Sequence, residues 1–584
     1  MEPCKSSWVF RLFTILLIFI MCSTSPSLSW SLHPLYLNST AMHQNHTATS
    51  EFRLLNRRTL IECPNPSPFL QIDVSPDSSL SDEEYLRVTV TGVLNPSGRD
   101  WVAMISPANS NVESCPLSGL LYAQTGDLSE LPLLCHYPVK AMYMNKDPDY
   151  LRCKKKQCKK YSQGKCAVTT CSGTLTFHVI NIRTEVAFVL FRGGFETPCI
   201  LSRSNPISFA NPKKPLYGHI SSKDSTGTSV NDNVFSIRRF ISPKVDHLAM
   251  AQCVLVSIMR LLNMRLTWVS GDKEPQQVQY GDEKTETSEV TTFAQDEMCS
   301  SVLPSPAKDY GWHDPGYIHS APGSLSVIKA MAEEVESNKI DSIFHIGDIS
   351  YATGFLVEWD FFLHQISPVA SRVSYMTAIG NHERDYIGSG SRYQLTDSGG
   401  ECGIPYETYF PMPTPAKDKP WYSIEQASVH FTVMSTEHDW SVKSEQNEWM
   451  KKDMASVDRS KTPWLIFMGL TRVDLVLFGH VHNYERTCSV YQKECKAVPT
   501  KDKNGIDIYD HSNYSAPVHA VIGMAGFTLD KFPNDVESWS LSRISQFGYA
   551  RGHATKEELK LEFVNSDTRK VEDSFRIIKT QPSS

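Results

Sequence analysis

The chain is 584 residues long, 41% of them hydrophobic and 10% aromatic, and its formal net charge is -7. This length is too great for one hydrophobic core, so we expect roughly three or four domains. The composition is that of a globular protein able to bury real cores, which excludes a largely disordered chain. The negative charge gives no reason to expect a nucleic acid as partner. We expect the lysine-rich run at 153–160 to be a solvated loop rather than a binding patch.

The first 29 residues have the pattern of a secretory signal peptide. Lys5 and Arg11 precede an apolar stretch at 12–21, and small residues follow it. The stretch is too short to span a bilayer comfortably and no stop-transfer pattern follows, so cleavage is favoured over the alternative of a signal anchor. We therefore predict a signal peptide at 1–29 and a secreted protein with no membrane partner after cleavage. Sequons that suit a secreted glycoprotein begin at Asn38, Asn45 and Asn513.

The cysteines agree with export. The chain has 15 of them, and seven lie between Cys115 and Cys199. Such crowding is expected of disulfide bonds in an oxidising compartment. The alternative is a zinc site built from the four central cysteines, which is disfavoured because they form no CxxC pairs. Those four are Cys153, Cys158, Cys166 and Cys171.

The apolar pattern divides the mature chain into four segments. Short alternating runs between Pro and Gly residues predict a Cys-rich all-β domain at 30–212 and a second, fibronectin-III-like β domain at 213–321. An amphipathic helix after Pro322 and a series of buried-strand runs predict an α/β domain with a largely parallel sheet at 322–525. Residues 526–584 are predicted to complete that domain with antiparallel strands.

Three of the buried strands end in polar residues that can bind metals. These ends are GDISY with Asp348 and Tyr351, GNHE with Asn381 and His382, and GHVH with His480 and His482. Singly, each run could be a plain turn, a loop or a pair of satisfied core histidines. Because ligands of open α/β sheets bind beyond the carboxyl ends of the strands, the three runs together predict one shared crevice. Carboxylate, amide, phenol and imidazole groups there suit a pair of transition-metal ions that bind phosphate.

The runs GDISY, GNHERDY and GHVHNYERTC resemble those of the plant purple acid phosphatases, in the large form that has an N-terminal sandwich. The resemblance implies an α/β metallophosphoesterase domain of the calcineurin-like type, with parallel strands and flanking helices, preceded by an all-β fibronectin-like region. It implies hydrolysis of phosphomonoesters at acid pH by Fe(III) beside Zn, Mn or Fe(II). It further implies a secreted glycoprotein of the cell wall or apoplast, or alternatively of the vacuole, and it allows a homodimer.

The resemblance also assigns roles to individual residues. The implied metal ligands are Asp348 bridging both ions, Tyr351 and His482 on Fe(III), and Asn381 and His480 on the divalent ion. His382 is similar to the histidine of the family that assists the leaving oxygen without binding a metal.

Two motifs of the family are missing from the sequence. No GDxG run precedes the helix after Pro322, so the aspartate that completes the iron site is absent. The segment between IFMG and VDLVLFGH is only Leu-Thr-Arg, where the family has a GHRPMY-like run with a histidine ligand and then a helix. Parallel neighbours normally need a crossover of about a dozen residues, so this connection is too short on topological grounds. Conversely, 230–263 has the character of an insertion.

These losses leave three interpretations of function. The first is a purple acid phosphatase whose activity is impaired by the missing ligands. The second is a catalytically inactive secreted glycoprotein that acts by binding, and the third is a phosphodiesterase or nucleotide hydrolase on the same fold. Two clean losses and one insertion in ordinary sequence favour altered splicing or an imperfect gene model as their origin. Genomic DNA with no coding sequence for the missing segments would contradict that hypothesis.

Overall fold

A computed structural model describes seventeen stretches of the chain. They are residues 65–76, 79–110, 139–163, 165–193, 199–222, 235–241, 254–256, 264–280, 284–299, 305–309, 311–315, 325–337, 340–393, 395–468, 473–526, 529–535 and 537–579. The predicted signal peptide and the sequons at Asn38 and Asn45 lie outside these residues. Within them, no helix combines the length and the apolar character needed to cross a membrane.

The N-terminal part of the described chain is an all-β unit. Its strands are β1 Gln71–Ser75, β2 Glu83–Val93, β3 Trp101–Ile105, β4 Lys140–Tyr143, β5 Lys156–Ser162, β6 Lys165–Ile180, β7 Ala187–Arg192 and β8 Cys199–Arg203. They form two antiparallel sheets in the orders β1-β2-β6-β5 and β4-β3-β7-β8. In β2 the side chains alternate, so that Leu86, Val88 and Val90 are fully buried while Tyr85 stays exposed. This period of two is what places a strand between a core and solvent.

The lysine-rich run corrects one expectation. Residues 156–162 form strand β5, which pairs with β6, and are not a loop, although four of the five lysines at 153–160 are exposed. The cysteines of this region pair as Cys153–Cys171 and Cys158–Cys166. Their thiols are therefore joined to one another, which removes the alternative of a zinc site at these four positions.

A second group of strands follows. It comprises β9 Leu216–Ser222, β10 Phe235–Ile241, β11 Val254–Val256, β12 Met264–Val269, β13 Gln277–Tyr280 and β14 Lys284–Thr287. Strands β10 and β11 lie within the apparent insertion at 230–263, and they pair in the sheet β11-β10-β13-β14. Strands β9 and β12 pair with each other in antiparallel register.

The remaining residues contain the α/β part of the fold. The α-helices of the described chain are α1 Pro306–Asp309, α2 Leu325–Glu336, α3 Val357–Ala370, α4 Asn381–Arg384, α5 Ile404–Tyr409 and α6 Glu445–Ser456. The strands up to the GHVH run are β15 Ser342–Ile346, β16 Ser374–Ala378, β17 Tyr422–Gln426, β18 Val429–Val433, β19 Trp464–Met468 and β20 Leu475–Phe478. After it come β21 Tyr484–Tyr491, β22 Glu494–Ala497, β23 Thr500–Lys501, β24 Asp507–Asp510, β25 Val518–Ile522, β26 Ser540–Ile544, β27 Gly548–Ala554, β28 Glu558–Asn565 and β29 Val571–Ile578.

These strands form three sheets. Strands β15 and β16 are parallel and continue the β9 and β12 pair in the order β12-β9-β16-β15. The largest sheet has the order β17-β18-β19-β20-β25-β21-β22, with β26 on β21, and its central neighbours from β18 to β25 are parallel. The third sheet, β23-β24-β29-β28-β27, contains the predicted antiparallel closing strands. A shared core that includes Trp464, Leu475, Leu561 and Phe575 packs this sheet against the largest one.

The connection between β19 and β20 is short, but it can span the distance between the end of one strand and the start of the other. Strands β19 and β20 are adjacent and parallel, with Ile466 opposite Leu475, although residues 469–472 between them lie outside the described part. The backbone N–H of Asp474 donates to the carbonyl of Leu465, so the chain returns by only three residues from Met468. That return is about 10 Å, and six extended residues reach about 20 Å. The expectation that these strands could not be parallel neighbours is therefore wrong.

Asp474 fixes the chain at the point where it re-enters the sheet. Its carboxylate accepts a hydrogen bond from the backbone N–H of Leu465 at 3.0 Å, and it contacts His511, Lys579 and Arg459. Burial alone would raise the pKa of Asp474, but the His511 hydrogen bond and the two cations outweigh it and lower the pKa to about 2. This buried, charged cluster holds the start of β20 against β19.

Candidate metal centre

The three strand ends singled out in the sequence meet at one place. Strands β15 and β16 are neighbours, and β20 belongs to the other sheet, whose Gly479 lies against the end of β15. A Cβ atom on Gly479 would come within 2.9 Å of the carbonyl oxygen of Ile346. A Cβ atom on Gly380 would lie 2.2 Å from Asp348 Oδ1. Glycine at these positions therefore lets the three chain segments approach closely enough for their side chains to touch.

One group of side chains contains Asp348, Tyr351 and His482. The hydroxyl of Tyr351 lies 2.9 Å from His482 Nε2 and 3.5 Å from Asp348 Oδ2. Burial, reinforced by the Asp348 carboxylate, raises the pKa of the Tyr351 phenol above its ordinary value. A nearby cation would act against that rise, because it favours the phenolate.

A second group lies beside the first and contains Asn381 and His480. The side-chain oxygen of Asn381 lies 3.2 Å from His480 Nδ1. Its side-chain nitrogen donates to Asp397 Oδ2 at 2.9 Å, which leaves the oxygen directed at His480. His480 and His482 thus serve different groups. Residues two apart on an extended strand would lie on the same side of it. His480 has a φ of 67°, which interrupts the extended backbone, so this does not hold for His480 and His482.

Three of the candidate ligands have a backbone conformation that is uncommon for residues other than glycine. Asp348, Tyr351 and His480 have φ values of 52°, 51° and 67°. Non-glycine residues rarely adopt positive φ, and such strain persists only where the surrounding structure enforces it, often at functional sites. Positive φ also occurs at non-glycine residues elsewhere in the described chain, but here it falls on three residues that the resemblance implies as metal ligands.

His382 lies next to both groups on the first turn of α4. Its ring centroid is 4.4 Å from that of Tyr351, and its backbone N–H lies 3.4 Å from Asp348 Oδ1. Its Nδ1 lies 3.3 Å from the carbonyl oxygen of Asp397. The imidazole is therefore held at the edge of the site by two different loops.

Three carboxylates that support the site were missed in the sequence. Glu383 is fully buried and accepts hydrogen bonds from the N–H groups of Ile349 at 2.6 Å and Gly380 at 2.9 Å. Burial, with Asp348 nearby, raises the pKa of Glu383 well above its ordinary value. Asp397 orients Asn381, and Asp530 accepts the backbone N–H of His482 at 2.9 Å. Only Glu383 had a local signal, since it directly follows the GNH run.

The donor set fits a metal centre in part. A carboxylate, a phenol, an amide oxygen and two imidazoles lie in two adjacent groups that share the Asp348 neighbourhood, which suits two transition-metal ions. In the described part of the chain these donors contact one another or their supporting carboxylates. The sequence lacks the GDxG aspartate and the GHRPMY histidine, so each ion would have one protein ligand fewer than the resemblance implies.

Comparisons with known proteins agree with this architecture. Family models match as "Fn3-like domain from Purple Acid Phosphatase" at 72–211, "Calcineurin-like phosphoesterase" at 312–484 and "Iron/zinc purple acid phosphatase-like protein C" at 516–574. The Fn3-like match falls within 30–212, where we expected the Cys-rich β domain. It does not fall within 213–321, where we expected the fibronectin-III-like domain. The solved structure of purple acid phosphatase PPD1 from yellow lupin (Lupinus luteus) seeds is 28% identical. It has a TM-score of 0.67 and covers 88% of this chain and 98% of its own.

Two curated relatives extend the comparison. "Probable inactive purple acid phosphatase 27" of Arabidopsis thaliana is 30% identical over 618 residues, covering 87% of this chain and 89% of the relative. "Nucleotide pyrophosphatase/phosphodiesterase" of Hordeum vulgare is 33% identical, covering 44% of this chain and 76% of the relative. The alignment of 618 residues is longer than this 584-residue chain, so the Arabidopsis relative contains internal residues that have no counterpart here. The chain belongs to the purple acid phosphatase family.

Proposed function

We propose that this chain is a secreted acid phosphatase that hydrolyses phosphomonoesters at an incomplete binuclear metal centre, and that its activity is correspondingly impaired. The observation that carries the proposal is the meeting of Asp348, Tyr351 and His482 with Asn381 and His480 at the ends of three strands. The family membership supports phosphate esters as the substrate class. The missing aspartate and histidine support the impairment.

The residues have distinct roles in this proposal. Asp348 would be a ligand shared by the two ions, Tyr351 and His482 would hold Fe(III), and Asn381 and His480 would hold Zn, Mn or Fe(II). When bound, such a pair of ions would supply Lewis-acid stabilisation of the phosphate and an activated water. His382, which neither group requires as a ligand, would donate a proton to the departing alcohol oxygen.

The loss of two ligands sets the expected size of the impairment. Removing even a hydrogen-bond partner of a metal ligand costs about 10–100-fold in metal affinity or activity. Losing the ligand itself should cost more, so we expect turnover more than about 100-fold below that of a family member with both motifs.

The location follows from the N-terminal pattern. A cleaved signal peptide at 1–29 and disulfides such as Cys299–Cys402 support export to the cell wall or apoplast. Asn513 is exposed, as a glycosylated asparagine must be. A mature N-terminus near residue 30 in the culture medium, with carbohydrate at Asn513, is the expected result of mass spectrometry on the secreted product.

Acid phosphatase assays test the proposed reaction. The purified chain is assayed on a chromogenic phosphomonoester beside an Asp348→Ala variant, with Asp567→Ala as a control because Asp567 is exposed. We expect weak turnover that Asp348→Ala abolishes and Asp567→Ala leaves unchanged. Turnover equal to that of the lupin enzyme would contradict the impairment, and turnover insensitive to Asp348 would contradict the site.

Two other functions have a specific observation in their favour. The Arabidopsis relative is named a "probable inactive" phosphatase, which supports a secreted glycoprotein that acts by binding. Complete absence of turnover with a folded chain would favour this function. The barley relative is named as a nucleotide pyrophosphatase and phosphodiesterase, which supports a phosphodiester substrate. A chromogenic phosphodiester hydrolysed faster than the monoester would favour that function.

A further inference from the structure

A second cluster of metal-binding side chains lies away from the strand ends. Glu83 begins strand β2, His178 lies on the neighbouring strand β6, and His364 lies on helix α3 of the phosphoesterase part. One ligand atom of each side chain lies within 4.8 Å of the others. The three residues are far apart in the sequence and come from two different parts of the fold, so the cluster is a product of tertiary structure.

The geometry is close to that of a bound ion. His178 Nε2 lies 2.7 Å and His364 Nε2 lies 3.5 Å from the same atom, Glu83 Oε1. Ligands about 2.0–2.2 Å from a tetrahedral zinc ion are roughly 3.4 Å apart, so adjustments of about 1 Å would accommodate one. Two imidazoles and one glutamate are also a ligand set that zinc uses elsewhere, with water in the fourth position.

Neighbouring aromatic rings hold the two imidazoles in place. The ring of Tyr85 stacks on His178 with centroids 4.8 Å apart. The ring of Tyr217 meets His364 edge-on at 5.9 Å. The Glu83 side chain is half exposed, which leaves one side of the cluster open to an ion and its water.

We propose that Glu83, His178 and His364 bind a zinc ion that ties the N-terminal β unit to helix α3. The contact between these parts already contains a buried ion pair, because Arg183 donates two hydrogen bonds to Asp360 at 2.7 and 3.0 Å. Asp360 and His364 are four residues apart on α3 and therefore lie on one face of the helix. The zinc ion would be the second clamp on this face, at its more exposed end.

Helix α3 connects this clamp to the candidate metal centre. It leads into strand β16, whose end carries Asn381 and His382. Holding α3 against the β unit therefore restrains the element that precedes two of the site residues. The proposed zinc ion is structural in this role and takes no part in phosphate chemistry.

One charge opposes the ion. Lys140 donates to the backbone carbonyl of His178, and burial lowers its pKa to about 8, although Glu358 and Glu83 work against that shift. Protonated Lys140 would repel zinc, and the imidazoles of His178 and His364 must also be neutral to bind it. A rise in pH removes protons from Lys140 and from both imidazoles, and each loss favours zinc binding. Binding is therefore best measured near pH 8.

The test measures zinc binding with zinc alone as the probe. The full secreted chain carrying Asp348→Ala, which disables the other centre, is compared with the same chain bearing His364→Ala or Glu83→Gln. His553→Ala is the matched control, because His553 is exposed and outside the cluster. We expect equilibrium dialysis to show one zinc ion fewer per chain in the two cluster variants and no change in the control.

Thermal unfolding supplies the second readout. Zinc should raise the Tm of the parent and the control but not of the two cluster variants. Because Glu83 is half exposed, Glu83→Gln provides a folded variant even if His364→Ala fails to fold. Equal zinc content in parent and cluster variants would overturn the site, and a zinc ion that leaves the Tm unchanged would overturn its role as a clamp.

Discussion

Glu383 should be the residue on which the strand ends depend most. Its buried carboxylate accepts the N–H groups of Ile349 and Gly380, which follow β15 and β16 and flank the candidate ligands. Glu383→Ala would leave both N–H groups buried without an acceptor, at about 1–3 kcal/mol each, so we expect a loss of about 2–6 kcal/mol. That is a large share of a typical unfolding free energy of about 5–15 kcal/mol.

The assay combines global and local measurements. Urea unfolding followed by tryptophan fluorescence gives the loss of stability, and hydrogen exchange of peptides containing Ile349 and Gly380 locates it. Glu383→Gln keeps one acceptor oxygen and should lose about half as much. Glu448→Ala, which removes an exposed pair with Lys451, should stay within about 1 kcal/mol. A Glu383→Ala chain that matches this control, with unchanged exchange at both amides, would refute the reasoning.

Two further predictions concern buried charges elsewhere in the fold. Asp360→Ala leaves the Arg183 guanidinium buried without its partner, so urea unfolding should show a loss of about 3–5 kcal/mol; a loss below about 1 kcal/mol would contradict it. Asp474 has a folded-state pKa of about 2, below its unfolded value, so its contribution is present above about pH 4 and is lost as the pH falls toward 2. Acid titration should show about 2 kcal/mol of stability disappearing in that window for the parent and not for Asp474→Asn; identical acid profiles would contradict it.

The sequence predicted the parts of the site that local motifs encode. Glycine followed by a polar residue at a strand end is readable without a structure, and it brought Asp348, Asn381 and His480 to one place. Asp397 and Asp530 could not be predicted, because they reach the site from loops whose path depends on the whole fold. The partners Glu83 and His178 are 95 residues apart for the same reason.

The typical length of a crossover is a poor guide to the distance that the chain must cover between β19 and β20. These parallel strands are short and offset, so the return is only three residues. Strands β18, β19, β20 and β25 are therefore parallel neighbours without the missing segment. The missing segment carries the histidine ligand of the family. Its absence therefore affects the metal centre and not the pairing of these strands.

The metal content of the purified chain tests the incomplete centre most directly. Iron and divalent metals are quantified per chain after dialysis against a chelator. The chain carries His364→Ala, so that zinc at the proposed site of Glu83, His178 and His364 does not contribute. The account predicts less than one iron and less than one divalent ion per chain, with both lost on adding Asp348→Ala. One tightly held iron and one tightly held divalent ion per chain would contradict it.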